Sequence, residues 1–212
     1  MGNTTQISQV RDAALAIANS ARNVHDHLKD ISTEDLKDLT SKDRLPWHTM
    51  CLNCTGDLNV GTMIRTSHCM GAKSVIVYGR QRIDNRSLVG AGVYTPVEKL
   101  GLDADLSDPA LFCRVLAARN LTPVFVEQGG IDLHRLVWKN RIEAIAGRKQ
   151  EICLVMGNET GGVPASILEA GLQMPNSFCI AIAQRGVIRS MNVAVAHAMV
   201  VSSLVAALSL PG

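Results

Sequence analysis

Residues 180–192 read Ile-Ala-Ile-Ala-Gln-Arg-Gly-Val-Ile-Arg-Ser-Met-Asn and lead into an apolar segment that ends at Leu208. The apolar start predicts a strand, the polar centre with its single glycine predicts a loop, and the serine predicts the cap of a following helix. That helix carries apolar residues on nearly every side, which is typical of a buried helix. Its first turn would place hydrogen-bonding groups at the edge of a core. The stretch therefore predicts a small-ligand site or, alternatively, only a capped core helix.

Strand and helix patterns alternate through the rest of the chain. The predicted strands are Thr49–Asn53, Ser74–Tyr78, Thr122–Glu127, Glu151–Met156 and Phe178–Ile182. The predicted helices are Asn59–Met70, Pro109–Asn120, Leu136–Ala146, Pro164–Ala170 and Ser190–Leu208, and a short helix and a short strand are expected between residues 82 and 100. This alternation predicts an α/β domain whose parallel sheet is flanked by helices, with ligands beyond the carboxyl ends of the strands.

The N-terminal part of the chain has a different pattern. Apolar residues recur every three or four positions from Ile7 to Ile31, which predicts a helix with a narrow packing stripe. A short polar helix and a linker ending at Pro46 follow. We therefore predict a helical extension over residues 1–46 and the α/β domain over residues 47–212. The extension would dock on that domain or on a second subunit, or it would contact RNA.

Composition excludes some functions and permits others. Aromatic residues make up 3% of the chain, which argues against base stacking on aromatic platforms, and the net charge of +2 permits an RNA partner without requiring one. No apolar run near the N-terminus resembles a signal peptide, so we expect an intracellular protein, cytoplasmic rather than organellar. We interpret the C-terminal helix as core and expect no membrane partner. The lone Cys51-x-x-Cys54 pair predicts buried thiols, with a zinc site as the weaker alternative.

Two further loops carry polar groups at strand ends. The first follows the first strand and leads into a helix that holds Arg65, which would pair with a carboxylate or point at an anionic ligand. The second contains three glycines and Glu159, which would cap a helix or neutralise an arginine such as Arg65. The second loop is neither a Walker loop nor a dinucleotide fingerprint, because the required residues and spacing are absent.

The three loops together resemble the three motifs of the SpoU/TrmH family of SPOUT RNA methyltransferases. The matching residues are Asn59-x-Gly61-x-x-x-Arg65-Thr66, Gly157-Asn158-Glu159-x-x-Gly162 and Gly186-x-x-x-Ser190-Met191-Asn192-Val193. The third motif is most similar to that of eukaryotic tRNA guanosine 2′-O-methyltransferases that act on the D-loop. Ala183, where the family usually has proline, is a departure.

The resemblance implies a C-terminal trefoil knot, a homodimer whose active site is completed at the subunit interface, and S-adenosylmethionine as cofactor. It implies catalytic roles for Arg65, Glu159, Ser190 and Asn192. It implies cofactor contacts from Gly157, Asn158, Gly162, Ile182, Gln184, Gly186 and Met191, and RNA contacts from Asn59, Arg65 and Arg189. Arg80, Arg82 and Arg86 are candidate phosphate contacts or, equally, part of a solvated basic loop.

The implied reaction is methyl transfer to a ribose 2′-hydroxyl. The resemblance favours a tRNA D-loop guanosine as the substrate, with rRNA as the alternative. Arg65 would either accept the hydroxyl proton or stay charged and stabilise the developing alkoxide. Because the chain offers little beyond the catalytic domain, an accessory protein could supply RNA recognition. The alternative function is a non-catalytic RNA-binding or ribosome-assembly factor with the same fold.

Overall fold

The structure, a computed structural model, describes the greater part of the chain. The described residues are 7, 10, 23–52, 54–79, 83–100, 108–188 and 190–209. They belong to two compact units that divide between Lys42 and Asp43. In the first unit, Asp26–Leu28 forms a 3-10 turn and helix α1 spans Thr33–Lys42. The predicted N-terminal helix therefore does not continue to Ile31, and most of it lies outside the described residues.

In the second unit, the described residues form one sheet of six parallel strands in the order β3-β2-β1-β5-β4-β6. The strands are β1 (Leu45–Leu52), β2 (Ala72–Tyr78), β3 (Val97–Leu100), β4 (Leu121–Asp132), β5 (Glu151–Met156) and β6 (Phe178–Ala181). The helices are α2 (Asp57–Cys69), α3 (Asn85–Leu88), α4 (Ala91–Tyr94), α5 (Pro109–Ala117), α6 (Trp138–Ala146), α7 (Ala165–Leu172) and α8 (Val193–Leu208). The predicted parallel α/β fold is confirmed.

Both faces of the sheet are buried, because successive residues of a strand point to opposite faces. In β5, Ile152 and Leu154 belong to a cluster with residues of α6 and α8, whereas Cys153 and Val155 belong to a cluster with residues of α5 and α7. A third cluster packs α2 against β1 and β2. The near-continuous apolar sequence of the central strands follows from this burial on two sides.

Strand β2 begins two residues earlier than predicted, and β1 and β4 exceed their predicted bounds by more. β1 begins at Leu45, whose N–H donates to the Gly71 carbonyl (2.8 Å), and the register with β2 is irregular between Leu45 and His48, which accommodates Pro46. β4 continues past Glu127 to Asp132, with an irregular register against β6 between Val126 and Ile131. In both places a proline or a pair of glycines looked like the end of a strand but lies at an irregularity within it.

Helix α8 differs from the prediction at its start and in its burial. It begins at Val193, and its N-cap is Asn192 rather than Ser190, since the Asn192 Oδ1 accepts hydrogen bonds from the N–H groups of Ala194 (2.9 Å) and Val195 (3.2 Å). Only one side of the helix is buried, and the Val195 side chain is 51% exposed. Helix α8 therefore leaves part of its apolar surface exposed near its N-terminus.

One buried polar group lies on α8. The His197 Nε2 bonds to the Thr49 hydroxyl of β1 (2.9 Å), which also bonds to the Ser67 hydroxyl of α2 (2.8 Å). Burial lowers the pKa of His197 to about 3, so the imidazole is neutral and its hydrogen bond links three elements of the core. None of the helices described above is both long and apolar enough to cross a membrane. The trefoil knot that the resemblance implies stays a prediction.

Candidate functional site

Three loops follow β1, β5 and β6 at the carboxyl edge of the sheet. We call them L1 (residues 54–56), L2 (residues 157–164) and L3 (residues 182–192, of which 189 lies outside the described residues). L1 and L2 lie beside each other because β1 and β5 are neighbours, and L3 follows the edge strand β6. The parallel arrangement thus places all three motif matches at one end of the sheet, as predicted.

The Glu159 carboxylate of L2 joins L2 to L1. One oxygen accepts from the Thr55 N–H (2.7 Å) and the Thr55 hydroxyl (3.0 Å). The other accepts from the Gly56 N–H (3.0 Å) and the Asn59 side-chain amide (2.8 Å). Gly56 is the N-cap of α2, and a Cβ there would lie 3.0 Å from the carboxylate and 2.7 Å from the Asn59 amide nitrogen. Glu159 therefore satisfies donors at the start of α2, which agrees with the helix-capping alternative.

These hydrogen bonds determine the ionisation of Glu159. Partial burial alone would raise its pKa, but the bonds from the Asn59 amide and from the backbone N–H groups of Thr55, Glu159 and Gly56 lower it to about 2. The carboxylate is consequently ionised over the whole physiological range, and the start of α2 supplies the partial positive charge that favours it there.

A second link joins the start of α2, directly after L1, to L3. The Asn59 Oδ1 accepts from the Asn192 side-chain amide (3.0 Å), and the Asn192 Oδ1 accepts from the first N–H groups of α8. Only one orientation of both amides satisfies this chain, because a carboxylate accepts and a backbone N–H donates. Glu159, Asn59 and Asn192 thus form one hydrogen-bond chain that connects all three loops.

L2 is a tight hairpin. Asn158 and Gly162 exchange two backbone hydrogen bonds (3.0 and 2.9 Å), and the Asn158 side chain accepts from the N–H groups of Thr160 and Gly161 (2.8 and 3.1 Å). A Cβ on Gly157 would lie 2.4 Å from the Gly162 carbonyl carbon, so Gly157 permits close approach of backbone to backbone. The predicted cofactor residues of L2 are therefore fixed by contacts within the protein.

L3 lines an open cleft of about 910 Å³. The predicted residues Gln184, Gly186, Ser190 and Met191 line it, whereas Ile182 does not. The sequence analysis missed the other lining residues, which are Asp132, His134, Arg135, Ala183, Arg185 and Ile188. Asp132 is the last residue of β4 and pairs with Ala181 of β6, so Asp132 and the residues that follow it, His134 and Arg135, lie beside L3. The polar residues Asp132, His134 and Arg135, which come shortly after Gly129 and Gly130, were the sequence signal that could have indicated this part of the cleft.

Arg65 lies on the solvent side of α2. It shares an exposed stripe with Leu58, Thr62 and Cys69, while its neighbours Met63 and Ile64 are buried. Across the described parts of the chain, its guanidinium forms neither a hydrogen bond nor an ion pair, and the Glu159 oxygens are occupied by other donors. The predicted pairing of Arg65 with Glu159 is therefore wrong, and the arginine faces outward.

The candidate RNA contacts are only partly covered by the structure. Arg80, Arg82 and Arg189 lie outside the described residues. Arg86 is exposed, and its guanidinium pairs with the Asp84 carboxylate (2.7 Å), which offsets part of its charge. Gly61, a residue of the first motif, allows α2 to approach α3, because a Cβ there would lie 1.7 Å from the Ser87 hydroxyl oxygen.

Cys54 of the lone cysteine pair and the nearby His48 of β1 have hydrogen-bond partners within the protein. Cys51 and Cys54 are buried free thiols, and the Cys54 thiol donates to the Gly157 carbonyl of L2 (3.4 Å). His48 bonds to the Ser74 hydroxyl and the Glu151 carboxylate (2.8 and 2.9 Å). Cys54 thus helps to join L1 and L2 through hydrogen bonding.

Comparison with known proteins gives one family. The sequence model of the SpoU rRNA methylase family matches residues 48–202, which is well over half of the chain. No curated protein gives a significant match. Among solved structures, the chain is similar to the SpoU methyltransferase AviRb from Streptomyces viridochromogenes, crystallised with the cofactor AdoMet, at 22% identity and a TM-score of 0.57. The alignment covers 77% of this chain and 57% of AviRb, so the chain spans little more than half of that protein.

Two other structures show the same fold. The TrmH/SpoU tRNA modifying enzyme of A. aeolicus is 18% identical, with a TM-score of 0.62 and coverage of 82% of this chain and 81% of the enzyme. An AdoMet-bound rRNA methyltransferase from Sinorhizobium meliloti is 22% identical, with a TM-score of 0.57 and coverage of 80% and 59%. At these identities the likeness establishes the fold alone.

Proposed function

The chain belongs to the SpoU rRNA methylase family, and we propose that it transfers the methyl group of S-adenosylmethionine to a ribose 2′-hydroxyl in structured RNA. The observation that carries the proposal is the hydrogen-bond chain Glu159–Asn59–Asn192, whose three members come one each from the three segments that match the family motifs. These hydrogen bonds bring the three polar residues together at the carboxyl edge of the sheet, which is where parallel sheets bind ligands.

We propose that the cleft along L3 receives the cofactor. Its volume of about 910 Å³ is that of a pocket for a ligand of this size, and it combines the apolar Ile188 and Met191 with the polar Gln184 and Ser190. A Cβ on Gly186 would meet no atom within 4 Å, so the backbone of L3 is open to a ligand at that point. Bound S-adenosylmethionine supplies a methyl group that its sulfonium makes electrophilic.

We assign Arg65 the stabilisation of negative charge on the reacting 2′-oxygen. Its guanidinium is exposed and has no partner among the described residues, so it is free to meet a ligand. Arginine keeps its proton in proteins, which favours this electrostatic role over proton abstraction. Glu159 and Asn192 would hold the loops in place, and Ser190, which lines the cleft, would orient the ribose.

A homodimer would complete the site. Large apolar side chains are exposed around L3 and the first turns of α2 and α8: Leu58 is 58%, Val187 101%, Ile188 73% and Val195 51% exposed. The hydrogen bond between Asn59 and Asn192 places the starts of α2 and α8 beside each other, so the first turns that carry Leu58 and Val195 are adjacent. An apolar region of this kind favours a protein partner, and we propose a second copy of the chain.

The substrate that we propose is a D-loop guanosine of tRNA, because the Gln184-x-Gly186-x-x-Arg189-Ser190 sequence is most similar to that of enzymes with this substrate. A site in rRNA is the alternative. We further propose that residues 1–46 form an extension that serves RNA or partner binding and that an accessory protein supports recognition.

Methyl transfer from labelled S-adenosylmethionine to unmodified tRNA and rRNA transcripts tests the proposal, with the 2′-O-methyl position mapped afterwards. We expect label on a D-loop guanosine. Label on rRNA alone would show that the substrate is rRNA rather than tRNA. Absence of cofactor binding would favour the assembly-factor alternative. Arg65→Ala should reduce kcat about 100-fold or more, as loss of an oxyanion-stabilising group does, while the exposed Arg148→Ala serves as the matched control. Full turnover by Arg65→Ala would remove this residue from the chemistry.

A further inference from the structure

Glu127 lies where β4 departs from regular pairing. β4 pairs with β6 up to Val126 and again from Ile131, so the residues between them form a bulge. Gly129 has a φ of 83°, and a Cβ on Gly130 would lie 2.6 Å from the Cys179 carbonyl carbon of β6. Bulges redirect side chains and are frequent beside functional sites. The bulge in β4 lies between β5 and β6, the strands that lead into L2 and L3.

The Glu127 carboxylate is directed at the end of L2. Its Oε2 accepts from the Val163 N–H (3.0 Å), and its Oε1 accepts from the Gln128 N–H beside it (2.9 Å). Val163 is buried in the core against β5, so its N–H depends on this acceptor. The arrangement also explains a motif glycine. Gly162 has a φ of 65°, and a Cβ there would lie 2.2 Å from the Glu127 Oε2.

L2 is thus held by two different carboxylates. Glu159 joins its middle to L1, whereas Glu127 joins its end to the bulge of β4. The two hydrogen bonds between Asn158 and Gly162 carry any movement of the end of the loop to its start. The resemblance implies that Gly157, Asn158 and Gly162 of L2 contact the cofactor in addition to the cleft along L3. A cofactor held in this way by main-chain groups depends on backbone positions to within a fraction of an ångström.

We propose that Glu127 is a positioning residue that fixes the backbone of L2 and thereby sets the affinity for S-adenosylmethionine. The inference rests on the proposed function. Glu127 acts through the Val163 N–H and is not itself a cofactor contact, so its loss affects cofactor binding. It leaves the affinity for RNA and the rate at saturating cofactor unchanged.

The test compares wild-type protein with Glu127→Ala, Glu127→Gln and the control Glu169→Ala, which removes an exposed carboxylate from α7, the helix after L2. Calorimetry with S-adenosylmethionine should give a Kd about tenfold higher for Glu127→Ala, which corresponds to about 1.4 kcal/mol of binding free energy. Glu127→Gln keeps an acceptor for the Val163 N–H and should stay within about threefold of wild type. The control should leave the Kd unchanged.

Amide hydrogen exchange in the cofactor-free protein provides a second readout. The Val163 amide should exchange faster in Glu127→Ala than in wild type, and Glu127→Gln should restore most of the protection. In the methyl-transfer assay, KM for S-adenosylmethionine should rise while kcat and KM for RNA do not. An unchanged Kd in Glu127→Ala would overturn the inference, and so would a raised Kd with unchanged exchange at Val163.

Gly162→Ala covers the case in which Glu127→Ala does not fold. Its added methyl group displaces the Glu127 carboxylate from the same N–H, so the Kd should rise in the same direction, and an unchanged Kd would contradict the inference. Failure of wild-type protein to bind S-adenosylmethionine would overturn the proposed function instead. The exchange comparison would then still decide whether Glu127 holds L2.

Discussion

Replacement of Glu159 by glutamine should destabilise the protein at neutral pH and destabilise it less in acid. The carboxylate accepts four hydrogen bonds, and its pKa falls from 4.5 to about 2. That fall corresponds to about 3 kcal/mol without screening. Because the side chain is only partly buried, solvent screening reduces the expected loss for Glu159→Gln to about 1–2 kcal/mol.

The lowered pKa of Glu159 determines how the stability difference between wild type and Glu159→Gln changes with pH. A carboxylate with a lowered pKa in the folded state stabilises the fold above pH 4.5, and this contribution disappears as the pH falls toward 2. Urea unfolding of wild type and Glu159→Gln between pH 7 and pH 3 should therefore show a difference that shrinks in acid. Glu169→Gln, at an exposed position, should change the free energy of unfolding by less than about 0.5 kcal/mol. An equal Glu159→Gln effect at both ends of the pH range would refute the reasoning.

Three other perturbations test the packing around the site. Asn192→Ala should cost about 1 kcal/mol in urea unfolding through loss of the α8 cap, and Asn192→Ser should retain most of that stability. Gly61→Ala should cost about 1–3 kcal/mol because its Cβ meets the Ser87 hydroxyl at 1.7 Å, and thermal unfolding should show partial recovery when Ser87→Gly is added. Because burial lowers the pKa of His197 from 6.5 to about 3, stability should fall as the pH drops below 6.5. Urea unfolding as a function of pH should show that His197→Gln flattens this dependence.

The site has a fixed part and an exposed part. L1 donates hydrogen bonds to the Glu159 carboxylate, L2 donates one to the Glu127 carboxylate, and L3 is joined to the start of α2 through Asn192. By contrast, Arg65 and most of L3 face solvent. This division agrees with a proposed site in which the chain fixes the positions of its loops by itself, while RNA and a second subunit complete the exposed side.

Local sequence patterns predicted the fold because the spacing of apolar residues within a single segment indicates whether it forms a strand or a helix and which sides of it are buried. Apolar runs of strand length, alternating with segments of helical period, specify a parallel sheet buried on both faces. The strand Glu151–Met156 was predicted at its true bounds, since it is apolar and lies between clear polar segments. The bounds of β1 and β4 were missed because of Pro46 in β1 and the pair Gly129 and Gly130 in β4. Such residues can end a strand or interrupt one, and only pairing with a neighbouring strand decides between the two outcomes.

The sequence by itself determined the residue types of the site and their place after particular strands. Only the tertiary structure decided which side chains meet. Glu159 could have paired with Arg65, but the proximity of β1 and β5 brings the start of α2 to the carboxylate first. The role of Glu127 was not visible in the sequence, because its partner Val163 lies far along the chain and reaches it through the adjacency of β4 and β5. Contacts between residues distant in sequence follow from strand order and register, which a local pattern does not encode.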